Sequence, residues 1–143
     1  MEKRILILSL IVGLFACSDS YGQEQQEVIK VYSDFYINQG IIYTSGILGT
    51  DQNGNISSTF KEEVAQVFSN IDRILHKAKA TKDDVYSVTV YLSDIEMINE
   101  FNKVYKEYFK APFPVRTCVG VQGLALNAKV EVSVIASSAS ELE

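Results

Sequence analysis

The 143-residue chain has few of the residues from which metal sites and disulfide scaffolds are built. It contains one histidine, and its two cysteines are Cys17 and Cys118. No set of ligands therefore has the spacing of a zinc site, and no disulfide framework is available. With only 8 glycines and 2 prolines, the chain is neither collagen-like nor a low-complexity sequence. We expect one ordinary globular domain without a metal.

Positive charge is also scarce in this sequence. Thirteen Lys and Arg stand against eighteen Asp and Glu, which gives a formal net charge of -5. No electrostatic attraction draws such a chain to a phosphate backbone or to anionic lipid. We therefore expect no nucleic-acid partner.

The first residues have the pattern of a secretory signal peptide. Lys3 and Arg4 precede an uncharged and mostly apolar run over residues 5–16. As a helix this run would span about 18 Å, well short of the roughly 30 Å hydrocarbon core of a bilayer. We predict a cleaved signal peptide at residues 1–16 and no permanent transmembrane helix.

Two cleavage positions fit this segment. Residues 14–17, Leu-Phe-Ala-Cys, resemble a bacterial lipobox, in which the Cys17 thiol receives diacylglycerol and becomes the first mature residue. The alternative is ordinary cleavage after Gly22, where Ser20 and Gly22 are the small residues. The first predicts an exported lipoprotein in the periplasm or at the cell surface, and the second a soluble periplasmic protein.

Polar segments flank the predicted domain. Residues 17–27 are polar and without periodicity, as expected of a tether. The domain itself is predicted over residues 28–137, and residues 138–143 form a polar tail.

The first half of the domain predicts a β-hairpin followed by a helix. Residues 28–36 and 40–45 are rich in β-formers and flank a turn-forming Asn-Gln-Gly sequence. After a loop at residues 46–55, Thr59 and Glu62 have the spacing of a capping box. Apolar residues then recur at helical intervals: Val64, Val67, Phe68, Ile71, Ile74, Leu75 and Ala78.

The second half predicts a strand, a helix and two more strands. The strand covers residues 85–92, and the helix runs from a capping box that starts at Ser93 to about Lys110. Two further strands follow at residues 115–121 and 128–136. The order ββαβαββ indicates an α+β sandwich in which two helices cover one face of a single sheet.

The strand at residues 85–92 is apolar on both sides. Alternation places Tyr86 and Val88 on one face, and Val85 and Tyr91 on the other. Because the helices cover only one face, we expect oligomerisation to cover the other.

Three reactive side chains lie in the last two strands. Alternation puts Arg116 and Cys118 on one face, and if these strands pair as a hairpin, Glu131 projects from the same surface. An unpaired ion on a half-buried sheet is costly. Either Arg116 and Glu131 neutralise each other, or Arg116 binds an external carboxylate through its two-pronged donors while Glu131 moves protons.

Neither Cys118 nor His76 is expected to be a catalytic nucleophile or base. No histidine lies near Cys118 in sequence to activate its thiol, so we interpret it as a small buried hydrophobe. His76 lies off the apolar stripe of its helix and is interpreted as a solvated surface residue.

Five segments of the chain together resemble a known family. They are PVRTCVGV (114–121), KVEVSVIA (129–136), IIYTSG (41–46), DDVYSVTVYLSD (83–94) and FNKVYKEYF (101–109). In this order and spacing they resemble the RidA/YjgF reactive-intermediate deaminase family over residues 31–136. The resemblance implies a chorismate-mutase-like fold and a homotrimer whose clefts lie between subunits.

The resemblance also implies roles for particular residues. Arg116 corresponds to the family's carboxylate-binding arginine, Cys118 to its neighbouring thiol position and Glu131 to its water-polarising glutamate. Further substrate-binding positions correspond to Tyr32, Ser45, Gly46 and Asn102. The chain departs from the usual Gln, Pro, Pro and second Glu of the family at Ile47, Gly49, Ala125 and Ser133.

The implied reaction is hydrolysis of an enamine or imine acid, such as 2-aminoacrylate, to a 2-keto acid and ammonia, with no cofactor. Arg116 would hold the carboxylate, and Glu131 would deprotonate the attacking water. A non-catalytic trimer that binds small carboxylates is the alternative. A ribonuclease, the activity attributed to some relatives, is disfavoured by the acidic net charge.

Overall fold

The computed structural model describes residues 31–138 of the chain. The predicted signal peptide at 1–16, the tether at 17–27 with Cys17, and residues 139–143 of the tail lie outside the described residues. Within them, two helices pack on one face of a mixed sheet, as predicted. The helices and strands are β1 Phe35–Asn38, β2 Ile41–Thr44, β3 Ile47–Leu48, α1 Phe60–Lys77, β4 Val85–Leu92, α2 Ile98–Tyr108, β5 Val115–Gly120 and β6 Val130–Ser137.

The β1–β2 hairpin forms around the predicted turn. Gln39 and Gly40 have φ values of 49° and 71°, and two successive left-handed residues are what a tight two-residue hairpin turn requires. The first strand begins at Phe35, later than the sequence pattern suggested. The structure adds a short strand, β3, inside the segment predicted as a loop.

The predicted N-cap of α1 at Thr59 is confirmed, but the full capping box is not, because the Glu62 carboxylate accepts from the Thr59 hydroxyl at 2.8 Å and not from the Thr59 amide. Thr59 Oγ1 accepts a hydrogen bond from the Glu62 amide at 3.3 Å, which satisfies one of the free donors of the first turn. The apolar stripe of α1 is buried against the sheet, whereas His76 is exposed, as predicted.

The start of the second helix differs from the prediction. Asp94, not Ser93, caps the short 3-10 turn Ile95–Met97 that leads into α2, and its Oδ1 accepts from the Glu96 amide at 3.0 Å. The Ser93 amide instead donates to the Lys129 carbonyl at 3.0 Å. Serine and aspartate are both good N-cap residues, so the spacing of the capping box did not by itself identify which of the two caps the helix.

The strand order is β1-β2-β6-β4-β5, with β3 paired to β6. The predicted hairpin of the last two strands is therefore wrong, because β4 lies between β5 and β6. β5 is parallel to β4, and β6 is antiparallel to it. The helix α2 connects β4 to β5 and returns the chain to the same end of the sheet, which favours the parallel pairing.

A β-bulge changes which side chains β4 buries. The pairing with β6 shifts between Val85 and Ser87, so Val85 joins Val88 in the core while Tyr86 is 45% exposed. The prediction that Val85 and Val88 lie on opposite faces is wrong for this reason. The face opposite the helices still carries Tyr43 and Val119, both about 40% exposed.

A buried carboxylate ties α1 to the loop before β6. Glu63 is fully buried, and its Oε1 accepts hydrogen bonds from the Lys129 and Val130 amides at 2.7 and 3.2 Å. Gly49 packs so closely against Glu63 that a side chain at this glycine would collide with the helix backbone. No helix in the described part of the chain is long and apolar enough to cross a membrane.

Candidate functional site

The residues assigned to the site form two groups within one protomer. One group lies where α2 meets the edge strand β5 and contains Arg116, Cys118 and Asn102. The other lies around β2 and β6 and contains Tyr32, Ser45, Gly46 and Glu131.

Arg116 lies on the helix-covered face of the sheet, at its edge. It is in register with Val88, whose side chain is in the core. Its Nη1 donates to Asn102 Oδ1 at 2.8 Å. Its Cζ lies 4.7 Å from the centre of the Tyr105 ring, close enough for a cation–π interaction. No carboxylate in the described part of the chain is within ion-pair distance of Arg116.

A cavity of about 390 Å³ opens next to this guanidinium. The cavity is lined by Asn102, Tyr105, Phe113 and Arg116, together with Lys106 and Pro114. The aromatic walls and one forked cation suit a small acid whose carboxylate faces Arg116.

Cys118 shares the helix-covered face with Arg116, as alternation predicted. It is in register with Val90 and packs against the core. Burial raises the pKa of Cys118, and the Arg116 guanidinium opposes that shift only in part. The thiol is therefore protonated at neutral pH and poorly suited to be a nucleophile.

Glu131 projects from the opposite face of the sheet. It is in register with Tyr91 in β4 and with Leu48 in β3, and its neighbours in β6, Val130 and Val132, are buried under the helices. The expectation that Arg116 and Glu131 project from one surface is wrong, because it depended on a hairpin that does not form. Because the two side chains lie on opposite faces of the sheet, an ion pair between Arg116 and Glu131 within one protomer is also excluded.

Gly46 leaves the space that the Glu131 side chain occupies. A Cβ built on this glycine would overlap the Glu131 carboxylate oxygen Oε1 and lie 2.6 Å from its Cδ. Real Cβ atoms do not approach other atoms so closely, so any other residue here would displace the carboxylate.

Ser45 holds the segment that carries Tyr32. Its hydroxyl donates to the Ser33 carbonyl at 2.6 Å, and its amide donates to the Asp34 carbonyl at 3.0 Å. Tyr32 itself is 61% exposed. A second cavity, of about 450 Å³, is lined by Tyr32, Ser45, Gly46 and Glu131. Ser45 thus acts here as a structural anchor.

The rim of this second cavity includes a strained residue that sequence reasoning missed. Leu126 has a left-handed backbone with φ of 57°, as does Asn127 with φ of 55°. Leucine rarely adopts this conformation, and no sequence signal predicts it. Leu126 is nevertheless 65% exposed beside the cavity that contains Glu131.

The two groups are too far apart to act together within one protomer. β4 separates the strand of Arg116 from the strand of Glu131, so the two residues are two strand spacings apart. Along the strand direction they are offset by three residues. With about 4.8 Å between strands and 3.3 Å per residue, their Cα atoms are roughly 14 Å apart, and the side chains point to opposite faces. The two groups are therefore separate clusters within the protomer.

Known proteins match this chain over nearly the whole described region. The family described as Endoribonuclease L-PSP matches residues 23–138. A "RutC family protein" of Aquifex aeolicus is 38% identical over 108 residues, which cover 73% of this chain and 86% of that protein. The human "2-iminobutanoate/2-iminopropanoate deaminase" is 34% identical over 110 residues, 76% of this chain and 80% of the human protein.

The fold also matches solved structures. The crystal structure of RidA from the Antarctic bacterium Psychrobacter sp. PAMC 21119 superposes with a TM-score of 0.74 at 30% identity. The match covers 76% of this chain and 89% of that one.

Proposed function

The chain belongs to the Endoribonuclease L-PSP (RidA) family, and on that premise we propose that it hydrolyses reactive enamine or imine acids to 2-keto acids and ammonia. The human relative is named for the deamination of two such acids. A 2-aminoacrylate-like substrate and independence from cofactors are parts of the proposal.

One observation carries the proposal. The Arg116 guanidinium faces an aromatic-walled cavity and is held by the amide oxygen of Asn102 and by the Tyr105 ring, not by a carboxylate. Because no carboxylate among the described residues pairs with this exposed cation, its forked donors are free to bind a charged ligand group in the cavity. A substrate carboxylate supplies that group.

The reaction needs a proton acceptor in addition to this anchor. Water adds to the imine carbon of the protonated imine while Glu131 takes one of its protons, which gives a neutral tetrahedral carbinolamine. Glu131 then gives that proton to the nitrogen, and its carboxylate takes the hydroxyl proton as the C=O bond forms and the C–N bond breaks, which releases ammonia and the 2-keto acid. Cys118 and the backbone around it shape the pocket.

We propose that the two halves of the site meet between subunits of a homotrimer. Within one protomer Arg116 and Glu131 face away from each other across β4, so the reaction requires a second copy. The exposed apolar residues on the open sheet face, among them Tyr43 and Val119, supply a surface for it.

A subunit-mixing experiment tests the reaction and the shared site together. Wild type should release ammonia from an imine generated in situ, whereas Arg116→Ala and Glu131→Gln should each be inactive. Trimers formed from equal amounts of the two variants should regain about a quarter of the clefts, because some pair an intact arginine with an intact glutamate.

A matched control is Glu107→Gln, which removes an exposed carboxylate on α2 outside both cavities that make up the site; it should keep full activity. Inactive wild type would refute the deaminase proposal. Inactive mixed trimers would refute the intersubunit site.

A carboxylate-binding protein without catalysis is the second candidate, because the Arg116 cavity by itself explains binding. In that case Glu131→Gln would bind a 2-keto acid as tightly as wild type, and neither would release ammonia. A ribonuclease is disfavoured by the formal net charge of -5.

We further propose that the protein is exported, with a lipid on Cys17, on the basis of the basic start and apolar run of the first 16 residues. The intact mass of the mature chain decides between a diacylated Cys17 and cleavage after Gly22.

A further inference from the structure

Six aromatic rings cluster around α2 and the segment that follows it. Four belong to phenylalanines and two to Tyr105 and Tyr108. The Tyr108 hydroxyl donates to Asp72 Oδ1 at 2.5 Å. The Tyr105 hydroxyl has no hydrogen-bond partner in the described part of the chain, although it is covered by protein atoms.

A buried hydroxyl without a partner costs free energy, since it gives up its hydrogen bonds to water. Tyr105 as a whole is only 5% exposed, and its ring packs at a tilt against three phenylalanine rings. Phenylalanine would pack there equally well without the cost. Packing therefore explains the ring of Tyr105 and leaves the hydroxyl unexplained.

The ring that carries this hydroxyl lies beside the candidate carboxylate anchor. Tyr105 and Arg116 line the same cavity, with the guanidinium carbon 4.7 Å from the ring centre. Burial raises the pKa of Tyr105, and the Arg116 charge opposes that shift only in part. The hydroxyl therefore keeps its proton at neutral pH and can donate a hydrogen bond.

We propose that the Tyr105 hydroxyl donates a hydrogen bond to the carboxylate that Arg116 holds, which makes Tyr105 a substrate-binding residue. The inference rests on the proposed function only in that Arg116 binds a carboxylate. Because the oxygen is covered in the protomer, binding includes a local side-chain shift.

Tyr105→Phe removes the hydroxyl and keeps the ring. In a calorimetric titration of the full chain with 2-ketobutyrate, we expect its Kd to rise about ten- to hundredfold, the usual effect of losing a hydrogen bond to a charged group. Its melting temperature should equal or exceed that of wild type, because an unsatisfied buried hydroxyl has been removed. If Tyr105 were purely structural, the substitution to phenylalanine would not weaken ligand binding while leaving the melting temperature undiminished.

Tyr108→Phe is the matched control on the same helix. This variant loses the hydrogen bond to Asp72, outside the Arg116 cavity. Its melting temperature should fall, and its Kd for 2-ketobutyrate should stay that of wild type.

The outcomes separate this inference from the proposed function. Unchanged affinity in Tyr105→Phe, together with lost affinity in Arg116→Ala, overturns the role of the hydroxyl and leaves the carboxylate site intact. Wild type that does not bind 2-ketobutyrate, or Arg116→Ala that binds it normally, overturns both. Weaker binding by Tyr105→Phe supports the inference even if no ammonia is released.

Discussion

The two halves of the proposed site are positioned by different kinds of contact. Arg116 comes from an edge strand, and side chains of α2 hold it, namely the Asn102 amide and the Tyr105 ring. Glu131 comes from β6, inside the sheet, and packs against the backbone of Gly46. One half depends on side-chain chemistry, and the other depends on the close approach of the Glu131 side chain to Gly46, between β2 and β3.

This difference implies that the halves fail in different ways. An exposed arginine can be truncated without leaving a hole in the core, so its loss affects binding and not folding. A carboxylate packed against a glycine is sensitive to a single added methyl group on the backbone. Substitutions can therefore disable one half and leave the other unchanged.

The largest effect is expected for Arg116→Ala. Loss of a desolvated charge pair with the substrate costs about 3 to 5 kcal/mol, so kcat/KM should fall by roughly two to four powers of ten. The melting temperature should stay near that of wild type, since no carboxylate of the described region is left unpaired. Ammonia release and calorimetry measure the two quantities.

Lys103→Ala controls for the loss of one positive charge, because Lys103 is exposed on α2 and does not line the cavity; it should retain activity. If Arg116→Ala lost several kcal/mol of stability, Arg116 would be a structural ion and the comparison of the two halves would fail.

A smaller effect is expected for Gly46→Ala. The added Cβ overlaps the Glu131 carboxylate, so that side chain must move and kcat should fall roughly ten- to hundredfold, as for a displaced general base. Affinity for 2-ketobutyrate should change far less, because Arg116 lies in the other half.

The control for this substitution is Gly123→Ala, where an added Cβ meets nothing within 4 Å; its kcat should match that of wild type. Equal losses of kcat and of affinity in Gly46→Ala would show that the halves are not separable.

The smallest effect is expected for Cys118→Ser. The raised pKa of Cys118 means that the thiol is protonated at neutral pH, so kcat/KM should stay within about threefold of wild type. A loss of a thousandfold or more would instead make Cys118 a nucleophile.

The same pKa shift has a stability consequence whose sign follows from linkage. The folded state binds the Cys118 proton more tightly than the unfolded state does, so this stabilisation is present below pH 9.0, the ordinary value for the thiol, and is lost as the pH rises through the higher folded pKa. Urea unfolding at pH 8 and pH 10 should show a smaller decrease for Cys118→Ser than for wild type.

The periodicity of the sequence predicted the helices and strands well, but it predicted poorly which strands lie side by side in the sheet. The observed strand β4, Val85–Leu92, and the capped start of α1 agree with the sequence pattern. The pairing of β5 with β6 was wrong, because alternation tells which residues share a face of one strand and not which strand lies beside it. The bulge beside Val85 was missed because it leaves no residue signature here.

The sequence by itself determined the element order, the buried face of α1 and, through the family resemblance, which residues form the candidate site. Those properties follow from local periodicity and residue chemistry. Only the tertiary structure decided that β4 separates Arg116 from Glu131, that Gly46 makes room for the carboxylate, and that the Tyr105 hydroxyl is buried without a partner. These depend on which distant segments pack together, and that is set by the free energy of the whole fold and not by any local pattern.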